Sequence, residues 1–354
     1  MTTIIEQPVL LKVQPACPVF GDCGGCVYQD IDYADELKIK GAHLKDLLMR
    51  ELSLKEEVFA PIVGSPNPYH YRHRLDLTLL RKKEGIVIGF QKFSSRRMVS
   101  IESCAIARKE ISEFVPELKK QAIEKLPENY DTANLVLRTG DDGRVVWGGI
   151  GRRSLAMKEE DYLWTSVRDK KVFYSLDTFF QANLGILPLV MDCVEELISP
   201  GPDTIFFDLY SGVGLFGICL AEKVKQVIMI EESVSSMQVA AFNVRYHQLK
   251  NVLLKTGKVE AELPCLIPAF PGKQVAIVDP PRSGLSADTI EAFQDKQFES
   301  LLYLSCHPDS LARDLKILLR QGWNIEKIVP FDFFPKTRHL ETLVLLRPGQ
   351  EARS

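Results

Sequence analysis

From about Tyr174 onward, apolar runs and helical patterns alternate along the chain. The runs TIFFDLY (204–210), VIMIE (227–231), VAIVD (275–279) and LLYLS (301–305) read as buried strands. Between and after them, Leu215–Glu222, Ser233 to about His247 and the stretch following Pro308 carry a helical pattern. NIEKIVPFDFF (324–334) and ETLVLLRP (341–348) close the chain as strands. Near-continuous apolar strands separated by helices predict a doubly wound α/β sheet, with ligands outside the carboxyl ends of the strands.

The first half has a different texture. Tyr33 to about Met49 reads as an amphipathic helix, with Leu37, Leu44, Leu47 and Leu48 inward and lysines outward. From about Val58 the pattern turns to strands and turns: LDLTLL, IVIGFQ, then ANLVLRT and RVVWGGI joined by Gly-Asp-Asp-Gly, with a helix over Glu110 to Lys125. Three segments follow: 1–57, a mixed, largely antiparallel 58–175, and the α/β unit 176–354. No internal repeat or low-complexity tract interrupts them.

Composition narrows the function classes. A chain of 354 residues, 45% hydrophobic and 26% charged, is that of a globular protein of two or three domains. The net charge of −3 means that nucleic-acid contact must come from a local basic patch. No apolar run is long enough to span a bilayer, and MTTIIEQPVLLK lacks the charged and apolar parts of a secretion signal. A cytoplasmic monomer is expected.

Eight cysteines in such a chain call for metal binding or catalysis. Cys17, Cys23 and Cys26 stand at C-x5-C-x2-C spacing among Gly21, Gly24 and Gly25, which allow the backbone to curl around one centre. Cys104 is the best candidate for a fourth ligand. Four thiols suit zinc or an iron–sulfur cluster, and a single C-x2-C pair with two outlying thiols favours [4Fe–4S]. Three reduced cysteines in a Gly-rich loop are the plainer alternative. Cys193, Cys219 and Cys265 read as core or surface thiols.

Cys306 ends the LLYLS strand just before a helix. Such a thiol is expected to be held as a thiolate and to act as a nucleophile; the alternative is an inert core cysteine. Asp208, Gly212, Gly214 and Glu231 form an acid, Gly-rich turn, acid arrangement suited to a nucleoside cofactor. Gly217 completes G-x-G-x-x-G, so this motif alone leaves NAD open. Asp279-Pro280-Pro281-Arg282 also falls at a strand end. A cysteine beside S-adenosylmethionine suggests covalent activation of an electron-poor ring. Tyr69-His70-Tyr71-Arg72-His73-Arg74, with Lys92, Arg96 and Arg97, offers arginines for RNA phosphates and rings for bases. A solvated, charge-guarded strand edge is the alternative there.

CPVFGDCGGC with Cys104, FFQAN, DLYSGVGLFG, IEES, VDPPRSGL, SCHPDSLARD and HLETLVLL occur in this order. On these motifs the chain resembles the RNA 5-methyluridine (uracil-C5) methyltransferases, in their iron–sulfur-containing 23S rRNA branch. The resemblance implies a Rossmann-like S-adenosylmethionine domain and a [4Fe–4S] cluster on Cys17, Cys23, Cys26 and Cys104. It further implies cofactor contacts from Gln181, Tyr210, Glu231 and Asp279, Cys306 as nucleophile, and Glu341 as the base that takes the ring proton. An rRNA substrate is implied, with tRNA as the alternative. His307 stands where members often have Asn, and Leu215 where a polar residue is common. Only sixteen residues precede Cys17, so the N-terminal RNA-binding barrel of many members is not expected. A 5-methylcytosine methyltransferase is disfavoured by the absence of a Pro-Cys motif, and an amino-methyltransferase by Arg282 in place of an aromatic ring. A non-catalytic iron–sulfur RNA-binding protein is disfavoured because every candidate catalytic position is filled.

Overall fold

A computed structural model describes residues 10–83, 85–92, 95, 97–125, 130–149, 155–294 and 297–349. The C-terminal half is built on a seven-stranded sheet. Its strands are β8 (Thr204–Leu209), β9 (Gln226–Glu231), β10 (Val252–Thr256), β11 (Lys273–Val278), β12 (Phe298–Ser305), β13 (Trp323–Phe331) and β14 (Glu341–Pro348). Their spatial order is β10-β9-β8-β11-β12-β14-β13. The pairs from β10 to β12 are parallel, and β14 lies antiparallel between β12 and β13. The expected α/β sheet is therefore present, with its last strand inserted rather than added at the edge.

The apolar runs are continuous because both faces of this sheet are covered. Phe206, Met229, Ile277 and Leu304 point into one cluster, shared with helices α3 (Leu187–Ile198), α4 (Leu215–Leu220) and the hairpin β6–β7 (Leu163–Val167, Lys170–Tyr174). Phe207, Ile228, Val278 and Tyr303 point into the other, shared with α6 (Val259–Ala269) and α8 (Pro308–Arg320). Helix α5 (Val234–Tyr246) packs on β7 and β10, and the short α7 (Ala287–Ala292) on α6 and α8.

Helix α1 (Tyr33–Leu52) brings Leu44 and Leu48 into that second cluster beside Leu311 and Leu315 of α8. The expectation of outward lysines holds for Lys38 and is corrected for Lys40. Residues 36, 40, 44 and 48 share one helical stripe, so the spacing that buries the leucines also buries Glu36 and Lys40. Their charges are satisfied within the protein: Lys40 Nζ lies 2.7 Å from Glu36 and 2.8 Å from Asp332. Leu37 and Leu47 are only half-buried.

The middle of the chain forms a separate antiparallel sheet of β1 (Arg74–Lys82), β2 (Gly85–Gln91), β3 (Met98–Ser100), β4 (Thr132–Thr139) and β5 (Val145–Gly149), in the order β3-β2-β1-β4-β5. Alternate residues Leu75, Leu77 and Leu79 face helix α2 (Lys109–Lys125), which supplies Ile111, Val115 and Leu118. Ile150, the last residue of the expected RVVWGGI strand, lies outside the described residues. Among the described residues no helix is long and apolar enough to cross a membrane.

Candidate active site

The penultimate residue of strand β8 is Asp208, which is 1% exposed and whose Oδ2 accepts from the Gly217 N–H at 2.8 Å. The chain then turns sharply, with positive φ at Tyr210 (60°), Gly212 (55°) and Gly214 (89°). Gly217 sits under close contact as well: a Cβ there would lie 2.3 Å from Met229 Cε and 2.9 Å from Val227 Cγ1. At the end of β9, Glu231 anchors the turn. Its Oε2 accepts from Gly212 N–H at 2.9 Å and its Oε1 from Ser233 N–H at 2.8 Å.

These elements border a cleft of about 310 Å³ at the carboxyl ends of β8 and β11. Gln181, Tyr210 and Asp279 line it, as does Gly212. Glu231 does not line it; its carboxylate is engaged below the turn. Phe179 and Leu215 supply an apolar wall that motif reading did not pick out. Phe179 is 64% exposed, which is unusual for so large an apolar side chain and is a signal the sequence does not carry. Gln181 Nε2 donates to Asp279 Oδ2 at 2.7 Å.

Burial pushes the Asp208 carboxyl up to about 8; the Gly217 N–H opposes the shift, and the charges of Asp279 and Glu231 add to it. Burial likewise raises Asp279 to about 7, against the stabilising bond from Gln181. A cleft lined by the desolvated Asp279 carboxyl, with Asp208 buried nearby, favours a ligand that brings positive charge.

Cys306 lies half-buried at the end of β12. Ser305 pairs with Thr342 across to β14, so Cys306 and Glu341 sit at the same end of neighbouring strands. Here the expectation of a thiolate favoured by a helix terminus is corrected. Burial, with the carboxyls of Glu341 and Asp279 adding to it and Arg282 opposing, raises the thiol to about 11. The N-cap of α8 is His307, whose Nδ1 accepts from Ser310 N–H at 3.4 Å. This capping bond accounts for an acceptor side chain at the position after Cys306.

Glu341 begins an interior strand and is 5% exposed, so it is not a surface carboxylate at a sheet edge. Burial raises its carboxyl well above the usual range; Asp279 adds to this and Arg282 opposes it. Its Oε2 is buried without a hydrogen-bond partner among the described residues. Asn183 of FFQAN, to which the sequence assigned no task, is fully buried and donates through Nδ2 to Ser65 Oγ (2.9 Å) and Phe333 O (3.2 Å).

The four cysteines of the N-terminal half are brought within one another's field. Burial pushes the Cys26 thiol up to about 12, with Gln29 opposing and Cys104, Cys23 and Cys17 each adding. Burial also raises Cys104, to which Cys17 contributes. Four convergent thiols are a soft donor set that fits an iron–sulfur cluster or zinc chemically. Among the described residues, however, no group of His, Cys, Asp or Glu stands in a metal-holding arrangement.

The basic segment is less free than its sequence suggests. Arg74 pairs with Asp76 at 2.8 Å, Arg72 Nε donates to Arg74 O, and Lys92 pairs with Asp22 at 2.5 Å. Arg97 is exposed, and Arg96 lies outside the described residues. The expected stacking surface is corrected: Tyr71 is buried with its hydroxyl donating to Pro335 O at 3.0 Å. His73 is fully buried against Tyr174 and Phe180. Both rings serve the junction between the two sheets.

A family model described as tRNA (Uracil-5-)-methyltransferase matches residues 149–262 and 270–348. Over 389 aligned positions the chain is 29% identical to an uncharacterized RNA methyltransferase of Thermosynechococcus vestitus, covering 97% of this chain and 86% of that protein. A second uncharacterized RNA methyltransferase, from Synechocystis, is 28% identical over 97% of this chain and 84% of its own length. Among solved structures, the Pyrococcus abyssi tRNA (uracil-54, C5)-methyltransferase in complex with S-adenosyl-L-homocysteine superposes with a TM-score of 0.70. It is 24% identical, and the match covers 91% of this chain and 85% of that one, a likeness of fold.

Proposed function

The chain belongs to the tRNA (uracil-5-)-methyltransferase family of RNA methyltransferases, and from that membership we propose that it methylates C5 of a uridine in RNA through covalent addition of Cys306. The observation that carries this reading is the meeting of Cys306 and Asp279, just past the carboxyl ends of β12 and β11, with Glu341 at the start of the antiparallel β14, beside the cleft that Asp279 lines.

Bound S-adenosylmethionine supplies an electrophilic methyl group on a positively charged sulfur. Gln181, Tyr210 and Asp279 border its cleft, and Glu231 holds the turn from beneath. Uracil C5 is a weak nucleophile until C6 is attacked. Cys306, after its thiol proton has passed to solvent, adds as the thiolate to C6, and the ring electrons shift toward the C4 oxygen, making C5 an enolate carbon. After C5 has gained the methyl group it carries one proton too many. Glu341 takes that proton, the electrons re-form the C5–C6 double bond, and the bond from C6 to Cys306 breaks. The target base must be unpaired or flipped to reach the thiol. Arg72, Arg74, Arg96 and Arg97 are proposed to meet RNA phosphates.

Cys17, Cys23, Cys26 and Cys104 would hold a [4Fe–4S] cluster with a structural task, as the donor set supports. The resemblance to cluster-bearing members favours a 23S rRNA uridine as the target. The tRNA substrate of the Pyrococcus abyssi neighbour and the family's description favour a second reading, a tRNA uridine. Mapping 5-methyluridine in total RNA with and without the protein tests both. A position lost from 23S rRNA supports the first, a position lost from tRNA supports the second, and no lost 5-methyluridine contradicts the reaction itself.

A further inference from the structure

Among the described residues, no hydrogen bond fixes the buried Oε2 of Glu341. With Phe331, Glu341 forms the pair that closes the β13–β14 hairpin. The position of its carboxylate therefore depends on the backbone of the connection 332–340.

That connection is gripped from every side. Four successive carbonyls are each taken by a donor from a different region. Phe333 O accepts from Asn183 Nδ2 at 3.2 Å, Phe334 O from Lys40 Nζ at 3.1 Å, and Pro335 O from the Tyr71 hydroxyl at 3.0 Å. Lys336 O accepts from the backbone N–H groups of Val27 and Tyr28, next to Cys26, at 2.8 and 3.1 Å. Lys336 itself is 2% exposed and has φ of 67°, a conformation that a residue with a Cβ seldom adopts. Its N–H donates to Glu36 Oε1 at 2.6 Å, and its ammonium lies 3.1 Å from Glu36 Oε2 and 3.2 Å from Ile31 O. With Lys40 and Asp332 this makes a buried set of two cations and two anions. Onward from it, Thr337 Oγ1 donates to Phe334 O at 2.8 Å and accepts from His339 N–H at 3.2 Å, two residues before Glu341.

Buried ion pairs add little net stability over apolar side chains of the same size. What this set does that apolar packing could not is to hold named backbone atoms in place. We propose that Lys336, with Glu36, Lys40 and Asp332, is a positioning device for the Glu341 carboxylate, through which the cysteine-bearing segment is coupled to proton removal at C5. This rests on the assignment of Glu341 as the base. Lys336 touches no substrate; it acts through the hairpin.

A positioning role and a merely structural one differ in what they slow. Misplacing the base slows elimination but leaves thiol addition, methyl transfer and cofactor affinity largely as they were. The intermediate, methylated and still bonded to Cys306, then accumulates. The experiment uses the full chain, purified anaerobically, with RNA substrate and S-adenosylmethionine labelled in its methyl group, read on denaturing gels. Lys336→Met is expected to raise the labelled adduct about tenfold and to lower kcat by about the same factor, as small displacements of a reacting group do. S-adenosylhomocysteine affinity should change less than about twofold, and Lys336→Arg should recover most of the turnover. Tyr71→Phe deletes only the donor to Pro335 O, should raise the adduct to a smaller extent, and carries the test if Lys336→Met does not fold. Glu341→Gln is the reference. If it accumulates adduct while Lys336→Met and Tyr71→Phe do not, the positioning role is overturned and the base assignment stands. Parallel loss of adduct and of cofactor affinity in the two variants would make the set merely structural. If Glu341→Gln itself forms no adduct, the base assignment fails and the positioning role falls with it.

Discussion

At the scale of single residues, burial outweighs the effects that local sequence suggests. A thiol at the start of a helix should ionise readily, yet Cys306 is held up to about 11 by desolvation and then by Glu341 and Asp279. Its thiolate fraction grows as pH climbs toward that value, so kcat should climb with pH from 6 to 9; a profile falling over that range would contradict the arrangement. Asp279 carries a second pH signature. Its carboxyl, raised to about 7, lies above its unfolded value, so its contribution to folding is present at low pH and is lost as pH rises through 7. The ionised form, in turn, attracts a cationic ligand. The thermal stabilisation given by S-adenosylmethionine should therefore grow between pH 5.5 and 8, and flatten in Asp279→Asn. Growth that persists in that variant would place the titrating group elsewhere. Cys306 was legible as a strand-end residue, whereas Gln181 and Tyr210 were marked out only through the resemblance that their motifs carry. The burial of Tyr71 and His73 was not legible, because their partners Pro335 and Ala182 lie far along the chain.

At the scale of elements, the legible strands were those covered on both faces. TIFFDL, QVIMIE and KQVAIV are nearly all apolar because helices lie on each side. Strand β10 passed unnoticed: it is an edge strand, half-exposed along its length, and carries no comparable run. Helix α6 was hidden by Pro264 and Pro268 within it. Helix α1 was legible as a helix but not as to its partner, since only the fold shows Leu44 and Leu48 meeting α8. Leu48 is fully buried there, so Leu48→Ala should cost about 2–5 kcal/mol in chemical denaturation. A loss below about 1 kcal/mol would mean that α1 is not part of this core. Gly284 tests the loop after Asp279. It has φ of 78°, and a Cβ would lie 2.3 Å from Asp314 Oδ2, which also accepts from Leu285 N–H at 2.7 Å. Gly284→Ala should displace this loop and reduce kcat/KM more than it reduces the melting temperature of the apo protein.

At the scale of the whole molecule, two sheets and an N-terminal segment converge on one connection, 332–340, just before Glu341. The order of motifs along the chain made the family legible, but not the contacts that join its parts, which link residues some 300 positions apart. The convergent thiols predict a brown, oxygen-sensitive protein with about four irons per chain after anaerobic purification; one zinc and no iron would contradict the cluster. If this face meets RNA, alanine at the half-buried Arg72 and Arg74 and the exposed Arg97 should weaken RNA binding and flatten its salt dependence. An unchanged slope would return them to an ordinary charged surface. The central claim is that Cys306 bonds to the ring and Glu341 ends that bond by taking a proton, and one gel tests it directly. Glu341→Gln, incubated with RNA and methyl-labelled S-adenosylmethionine, should give a labelled protein–RNA band that survives denaturation, and Glu341→Gln combined with Cys306→Ala should give none. Normal turnover by Glu341→Gln, or a labelled band that persists without Cys306, would contradict it.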